Sequence, residues 1–331
     1  MRCPTLRELP APPEGKTGWP WTVESPPLSD FQPDGKSWPT ISIVTPSFNQ
    51  GQFIEETIRS ILLQGYPNIE YIVMDGLSTD NTLQVLAKYR NWIHHIESKE
   101  DSGQADAINK GWRKSTGEIF QWINSDDCLL PGALEKVGIG LANFDVIASS
   151  IEALKTDGSR EVELNSSLCI ESILKDKFQF RQPGLWMTKK QSYSCFPLET
   201  QLHYGFDWLM LVKLANAYPR IKYMGVPTVV FRHHAASKTI AHPEKWDEEG
   251  LMIFDIFLRD PTYKNVWPLF RSRRRLLGLR RKINHRPANL AELISALRTA
   301  VWLAIVDPTN FPFRFFAGYL LRATGLKSDR W

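Results

Sequence analysis

From residue 41 onward the chain alternates between two hydrophobic periods. ISIVTP (41–46) is an apolar run bounded by Pro39 and Pro46, the pattern of a buried strand. In SFNQGQFIEETIRSILLQ, which overlaps and follows it, Phe53, Ile54, Thr57, Ile58, Ile61 and Leu62 recur at helical spacing, and Gly65 and Pro67 end the helix. The alternation repeats, with strands expected at 69–75 (IEYIVMD), 92–98 (WIHHIES) and 118–124 (EIFQWIN), and helices at 79–89 and 104–115. Strands alternating with helices of about ten to fifteen residues predict a doubly wound, mostly parallel α/β sheet with flanking helices. Beyond Pro131 the pattern predicts a helix near 131–141, a strand at 144–150, and a mixed region to Thr200. A helix at 204–218, a strand or hairpin at 221–234 and a helix at 242–258 follow. Residues 1–39 are rich in proline with little periodicity and read as an extended or partly ordered arm. Three parts result: the arm (1–39), an α/β domain (40–260) and a C-terminal region (261–331).

Charge changes the picture at the C-terminus. The chain carries 40 Lys/Arg and 36 Asp/Glu, a net +4. Residues 261–331 hold 14 of the basic and 3 of the acidic residues, an excess of +11 that leaves the rest at −7. RSRRRLLGLRRKI (271–283) mixes arginine with leucine, AELISALRTAVWLAIV (291–306) is apolar at helical spacing, and FPFRFFAGYLL (311–321) is aromatic. These are basic amphipathic helices suited to an anionic membrane surface. Packing on the rest of the chain, self-association and RNA binding are the alternatives. No nucleic-acid module is recognisable, so nucleic acid is not an expected partner. Four widely spaced cysteines (Cys3, Cys128, Cys169, Cys195) form no CxxC pair, which argues against a zinc ribbon or disulfide scaffold and fits a reducing compartment. The first 39 residues hold no apolar signal segment, and no apolar run reaches the roughly 18 residues of a spanning helix. The expected location is cytoplasmic, with the tail offering peripheral attachment to a membrane.

In a doubly wound sheet, ligands bind beyond the carboxyl ends of the strands. Those ends read TPSFN, MDGLSTD and NSDD, all polar. Asp126 and Asp127 close a buried strand, where two adjacent carboxylates are costly without a positive partner. A turn leading to a helix cap would explain an isolated DD before Pro131. At a ligand edge the pair is also suited to Mg²⁺ or Mn²⁺ shared with a diphosphate.

Four segments carry a resemblance to the family 2 glycosyltransferases, which have the GT-A fold: SIVTPSFNQGQFIEETIRSILLQ, IEYIVMDGLSTDNT, SGQADAINKGWRKSTGEIFQWINSDD and HYGFDWLMLVKLA. They sample residues 41–218 in the family's order and spacing. The resemblance implies a nucleotide-binding half at about 40–128 and an acceptor-binding half at about 129–260. It implies that Thr45, Pro46, Ser47 and Asn49 cup the nucleotide and that Asp75, an acceptor-only carboxylate, reads the base. Ser78 and Asp80 would shape that loop. Gly103, Asp106 and Lys110 would lie along the donor, although Lys110 equally suits an exposed helix charge. NSDD stands at the metal motif, with Asn124 where many members have a third acid. Asp127 is then the expected direct metal ligand and Asp126 a ribose contact or supporting ligand. Asp207, opening an otherwise apolar helix, is the expected base for the attacking hydroxyl.

Softer expectations fall on RQPGLWM and FRHHAASKT. Gln182, Pro183 and Trp186 would line the acceptor, with Trp186 equally suited to a core. Arg232, His233, Ser237 and Lys238 would face the diphosphate. Adjacent histidines point in opposite directions on an extended chain, and His234 is the one expected to reach the metal.

The implied activity is inverting, metal-dependent transfer from a nucleotide-diphosphate sugar, a UDP-sugar first, to a glycan or lipid-linked acceptor of polysaccharide assembly. A sugar nucleotidyltransferase would carry a basic, glycine-rich loop after the first strand, and TPSFNQGQ has no Lys or Arg. A nicotinamide dehydrogenase lacks support because no GxGxxG follows that strand. A non-catalytic nucleotide-sugar-binding or scaffold protein is disfavoured by the intact Asp75, Asp126, Asp127 and Asp207.

Overall fold

Strand β1 (Ile41–Ser47) is buried along its whole length. It is followed by α1 (Ile54–Leu62), β2 (Ile69–Asp75), α2 (Thr82–Tyr89), β3 (His95–Ser98), α3 (Gln104–Lys114) and β4 (Ile119–Trp122). β1, β2 and β4 are buried at every position. That burial is why they read as unbroken apolar runs and not as alternating ones. β1 runs parallel to β2, with Ile41 opposite Ile69 and Ser47 opposite Asp75, and also parallel to β4; β2 runs parallel to β3. Parallel pairing brings the carboxyl ends of β1, β2 and β4 to one edge. The computed structural model describes residues 1–174, 179–234, 243–283, 289–306, 316, 317, 319 and 320.

The chain continues with β5 (Cys128–Leu129), α4 (Ala133–Gly140), β6 (Val146–Leu154), β7 (Arg160–Glu163), α5 (Ile170–Ile173), β8 (Leu185–Thr188), α6 (Lys189–Ser192), α7 (Phe206–Asn216) and β9 (Ile221–Arg232). The sheet order is β3-β2-β1-β4-β8-β6-β9-β5, with β7 on β6. β8 is antiparallel to both β4 and β6, while β6 and β9 are parallel. β5, β7 and β8 were not legible as strands, being two to four residues long with no room to show a period. The strand or hairpin expected at 221–234 is one strand. Its register on β6 jumps from Ser149 opposite Met224 to Ser150 opposite Pro227, a bulge at Gly225 and Val226.

The proline-rich arm forms little regular structure, yet it is packed. Ile69 N–H donates to Met1 O at 2.8 Å and Cys3 N–H to Tyr66 O at 2.8 Å. Ser25 N–H donates to Leu63 O at 2.9 Å, and Trp19 Nε1 to Leu129 O at 2.8 Å. Arg59 of α1 is fully buried and ties the arm down. Its guanidinium donates to Pro10 O (2.8 Å), Pro20 O (3.0 Å) and Trp21 O (2.9 Å), and it lies 5.5 Å from the Trp21 ring centre. Prolines leave carbonyls without ladder partners, and a buried arginine with its fixed fork of donors collects them.

The chain divides into two compact units, residues 1–168 with 179–240, and residues 169–178 with 241–331. The helix expected at 242–258 therefore belongs with the tail. The second unit contains α8 (Pro243–Arg259), α9 (Trp267–Ile283) and α10 (Leu290–Val306). Phe257 stacks on Phe270 at 5.0 Å and meets Tyr263 at 4.6 Å, and Arg274 grips Asp255 through two bonds of 2.7 and 3.0 Å. Leu276, Leu279, Ala296, Ala300 and Leu303 form a small separate core.

Candidate active site

The carboxyl ends of β1 and β2 lead into loops that hold each other. Thr45 is buried and accepts from Tyr71 Oη at 3.2 Å, and Pro46 stands opposite Met74. The Ser47 hydroxyl is buried without a hydrogen-bond partner among the described residues, an arrangement that calls for a ligand or water. Asn49 has φ +52°, which asparagine tolerates. Its Oδ1 accepts from Thr79 N–H at 2.8 Å and its N–H donates to Ser78 Oγ at 2.8 Å. Asp80 accepts from Gly51 N–H (2.9 Å) and Thr82 N–H (3.0 Å). Slight burial opposes its charge, but the Thr82 and Gly51 donors prevail and hold its pKa below the usual carboxylate range. Asp75 is buried at the end of β2. It accepts from Ser78 N–H at 3.0 Å, from the Ser78 hydroxyl, and from Ser98 Oγ at 2.6 Å. A carboxylate has about four acceptor sites, so three donors leave about one for a ligand.

α3 starts at the same edge. Gly103 has φ +105°, a conformation that favours glycine, and its N–H donates to Asp101 Oδ1 at 2.8 Å. A Cβ on Gly103 would stand 3.2 Å from His203 Nδ1, and one on Gly76 would stand 2.7 Å from Asp101 Oδ2. Asp101, which the sequence reading missed, has its pKa raised by burial and then by the Asp106 and Asp75 charges. Asp106 accepts from Ser102 N–H at 3.1 Å and pairs with Lys110 at 3.0 Å, while Lys110 Nζ also donates to Glu100 O at 3.0 Å. The Gly103–His203 approach brings the segment before α7 to the start of α3. Asp207 lies partly buried in the first turn of α7 and accepts from Trp208 N–H at 2.7 Å.

The acidic pair is gripped from two directions. Asp127 is almost fully buried and accepts from Arg232 N–H and from Asn124 Nδ2, each at 3.1 Å. Burial, reinforced by the neighbouring Asp126 charge, pushes its carboxyl well above the usual carboxylate range. Asp126 is more open and its Oδ2 stands 2.9 Å from His234 Nε2. Asn124 Oδ1 accepts from Gln104 Nε2 at 2.8 Å, joining the pair to α3. α1 supplies the floor. Thr57 Oγ1 contacts Ser125 O and Asp127 O at 2.9 and 2.7 Å, and Ser60 Oγ accepts from Leu129 N–H at 3.0 Å. Thr57 and Ser60, polar and three residues apart on an apolar face, were the available signal for this floor.

Arg232, expected to face the diphosphate, is engaged by other groups of the chain. Its guanidinium pairs with Glu56 at 3.0 Å, donates to Asp126 O at 3.0 Å and lies 5.2 Å from the Phe53 ring centre. It braces the acidic turn. The two histidines diverge as an extended chain requires: His234 meets Asp126 and the Phe53 ring, whereas His233 packs edge-on against Phe231 at 4.9 Å. Burial, then the Arg181 charge, lowers the His233 pKa. Trp186 is fully buried in the main core, 3.3 Å from Thr228 Oγ1, so it offers no surface to an acceptor. Gln182 is buried and donates to Gln121 Oε1 (3.0 Å) and Trp122 O (3.1 Å), with Pro183 buried beside it. Ser237 and Lys238 lie outside the described residues.

Residues 42–162 match the profile of "Glycosyl transferase family 2". Over this stretch the chain is similar to the family 2 glycosyltransferases. The chain is 38% identical over 101 residues to TuaG of Bacillus subtilis, a glycosyltransferase named for teichuronic acid biosynthesis, covering 30% of this chain and 40% of that protein. Streptococcus pneumoniae glycosyltransferase GlyG is 29% identical over 167 residues, 48% of this chain and 54% of that one. The chain thus spans about half or less of these relatives. Among solved structures, Staphylococcus aureus TarS 1–349 in complex with UDP-GlcNAc aligns with a TM-score of 0.58 at 19% identity, covering 86% of this chain and 85% of that one. The mannosyltransferase PcManGT from Pyrobaculum calidifontis, in complex with GDP-Man and Mn²⁺, aligns at 0.53 and 17% identity, covering 91% of each chain. At these identities the likeness is one of fold, and the fold is GT-A.

Proposed function

We propose that the protein is an inverting glycosyltransferase that moves a sugar from a nucleotide-diphosphate sugar, a UDP-sugar first, to an acceptor hydroxyl. The carrying observation is the Asp126–His234 contact. It joins two segments 108 residues apart at the carboxyl edge of the parallel strands, the edge at which β2 ends in the buried carboxylate of Asp75. In this reading Ser47 and Asn49 cup the nucleotide and Asp75 takes a base N–H at its remaining acceptor site. Gly103 lets the backbone of the α3 entrance approach the donor, and Asp106 and Lys110 stand ready to exchange part of their mutual pairing for it.

The donor types at the acidic pair fit a hard divalent cation. The Asp126 carboxylate and the His234 imidazole meet there, and the neighbouring Asp127 carboxyl is buried, where a negative charge is costly without a positive partner. Among the described residues no three His, Cys, Asp or Glu side chains form a ligand cluster. A cation shared with a diphosphate needs only one or two protein ligands, with phosphate oxygens completing the shell. The openness of Asp126 favours Asp126 and His234 as those ligands, with Asp127 fixing the turn, in place of the direct role expected for Asp127. Bound there, Mn²⁺ or Mg²⁺ would neutralise charge on the departing nucleotide. Asp207 accepts the proton of the attacking hydroxyl, and a single displacement inverts the anomeric carbon. TuaG's name, and the basic C-terminal region, support an acceptor of polysaccharide assembly, lipid-linked or at the cell surface.

Calorimetric titration with UDP, GDP and dTDP, with and without Mn²⁺, tests this reading. The expected result is UDP binding that Mn²⁺ strengthens, that Asp126→Ala makes insensitive to Mn²⁺, and that Asp75→Ala weakens. No binding of any nucleotide under either condition would refute it.

A further inference from the structure

The outer face of α10 does not match a surface built for water. Leu290, Ile294, Val301 and Ile305 are 71%, 40%, 60% and 75% exposed. They follow one another at intervals of four, seven and four residues, so they share one stripe of the helix. The stripe is not a core face. Ala296, Ala300 and Leu303, on another side of α10, are buried with Leu276 and Leu279 of α9. We infer that this stripe is a docking face for an anionic lipid surface, on which α10 lies in the plane of the interface.

Three observations select lipid over other occupants. First, the flank of the stripe has the chemistry of a headgroup layer. Arg298 is exposed beside it, and the next residue along that flank is Trp302, whose ring centre lies 3.9 Å from the Arg275 guanidinium. Arginine and tryptophan, each with an apolar body and a polar end, belong at the boundary between acyl chains and water. Second, α10 is 17 residues long, about 26 Å. No helix among the described residues is long and apolar enough to cross a membrane, so α10 would lie along the surface and not through it. Third, charge sets the partner. Glu292 and Arg298 are the two charged residues of α10, and residues 261–331 carry 14 Lys/Arg against 3 Asp/Glu. A second copy seated on the stripe would bring two strongly basic regions together, whereas an anionic bilayer complements both the apolar stripe and the charge.

The inference deepens the lipid-linked acceptor reading, but its test uses neither donor nor acceptor, so the two can fail separately. Full-length protein is sedimented with vesicles of phosphatidylcholine alone and of phosphatidylcholine with phosphatidylglycerol in equal amounts. The expected result is binding to the anionic vesicles that weakens as salt is raised. It should fall at least tenfold in the Ile294→Glu/Val301→Glu variant while the circular dichroism spectrum and UDP affinity stay unchanged. Should that variant lose helical signal, Ile305→Glu alone, at the most exposed position, replaces it. Absence of wild-type binding would overturn the inference, as would equal binding by the variants. So would a lipid-free dimer in light scattering that the substitutions dissolve, since the stripe would then be a self-association face.

Discussion

Asp207 and Lys189 show how differently a charged side chain at a helix start can be used. Asp207 stands in the first turn of α7, where the helix dipole favours an acid. If it accepts the acceptor proton, Asp207→Asn lowers kcat by roughly 10²–10⁴-fold, the usual contribution of a general base, with UDP affinity unchanged. Steady-state kinetics beside calorimetry separates these, and an unchanged kcat would remove Asp207 from the chemistry. Lys189, at the start of α6, is structural. Its Nζ donates to Trp112 O (2.5 Å) and Ser115 Oγ (2.7 Å) at the end of α3 and lies 4.6 Å from the Trp112 ring centre. Burial lowers its pKa to about 8. The unfolded lysine titrates near 10.4, so between about 8 and 10.4 the unfolded state binds the extra proton and stability rises with pH. Urea midpoints of the wild type and Lys189→Met, compared below and above that window, should shift in the wild type's favour at the higher pH. A constant difference would refute the assignment.

At the scale of elements, the parallel half of the sheet was readable because strands covered on both faces are continuous apolar runs and helices covered on one face show a 3.6-residue period. β2 begins and ends where its hydrophobic run does. β8 was not readable: LWMT is too short to show a period, and its place between β4 and β6 follows from antiparallel pairings that no local pattern announces. The packing of the arm was not legible for a related reason. Its packing comes from α1, through a buried arginine that no local pattern marks. Arg59→Met should therefore leave three arm carbonyls without their donors. It is expected to cost at least about 3 kcal/mol, since hydrogen bonds to charged groups contribute about 1.5–3 kcal/mol each. Chemical denaturation measures this, and a loss under about 1 kcal/mol would mean the arm holds by its apolar contacts alone.

For the whole molecule, ligand binding and folding are linked. Nucleotide that binds only the folded chain stabilises it by RT ln(1 + [L]/Kd), about 2.7 kcal/mol at one hundred times Kd. UDP with Mn²⁺ should raise the thermal midpoint, and Asp126→Ala should remove the Mn²⁺-dependent part of the rise. An Mn²⁺ effect that survives that substitution would place the cation elsewhere. The sequence by itself determined the alternation of strands and helices and therefore the polar edge where Asp75, Asp126 and Asp127 gather. These depend on local periodicity and on the rule that parallel strands end together. It also determined that adjacent histidines diverge, because side chains alternate along a strand. Only the tertiary structure decided which histidine meets Asp126, that Arg232 braces the acidic turn through Glu56, and that Trp186 belongs to the core. It alone decided that Asp127 is buried while Asp126 is only partly so. Each of these depends on contacts between residues tens to more than a hundred positions apart, and such contacts leave no trace in the spacing of neighbours.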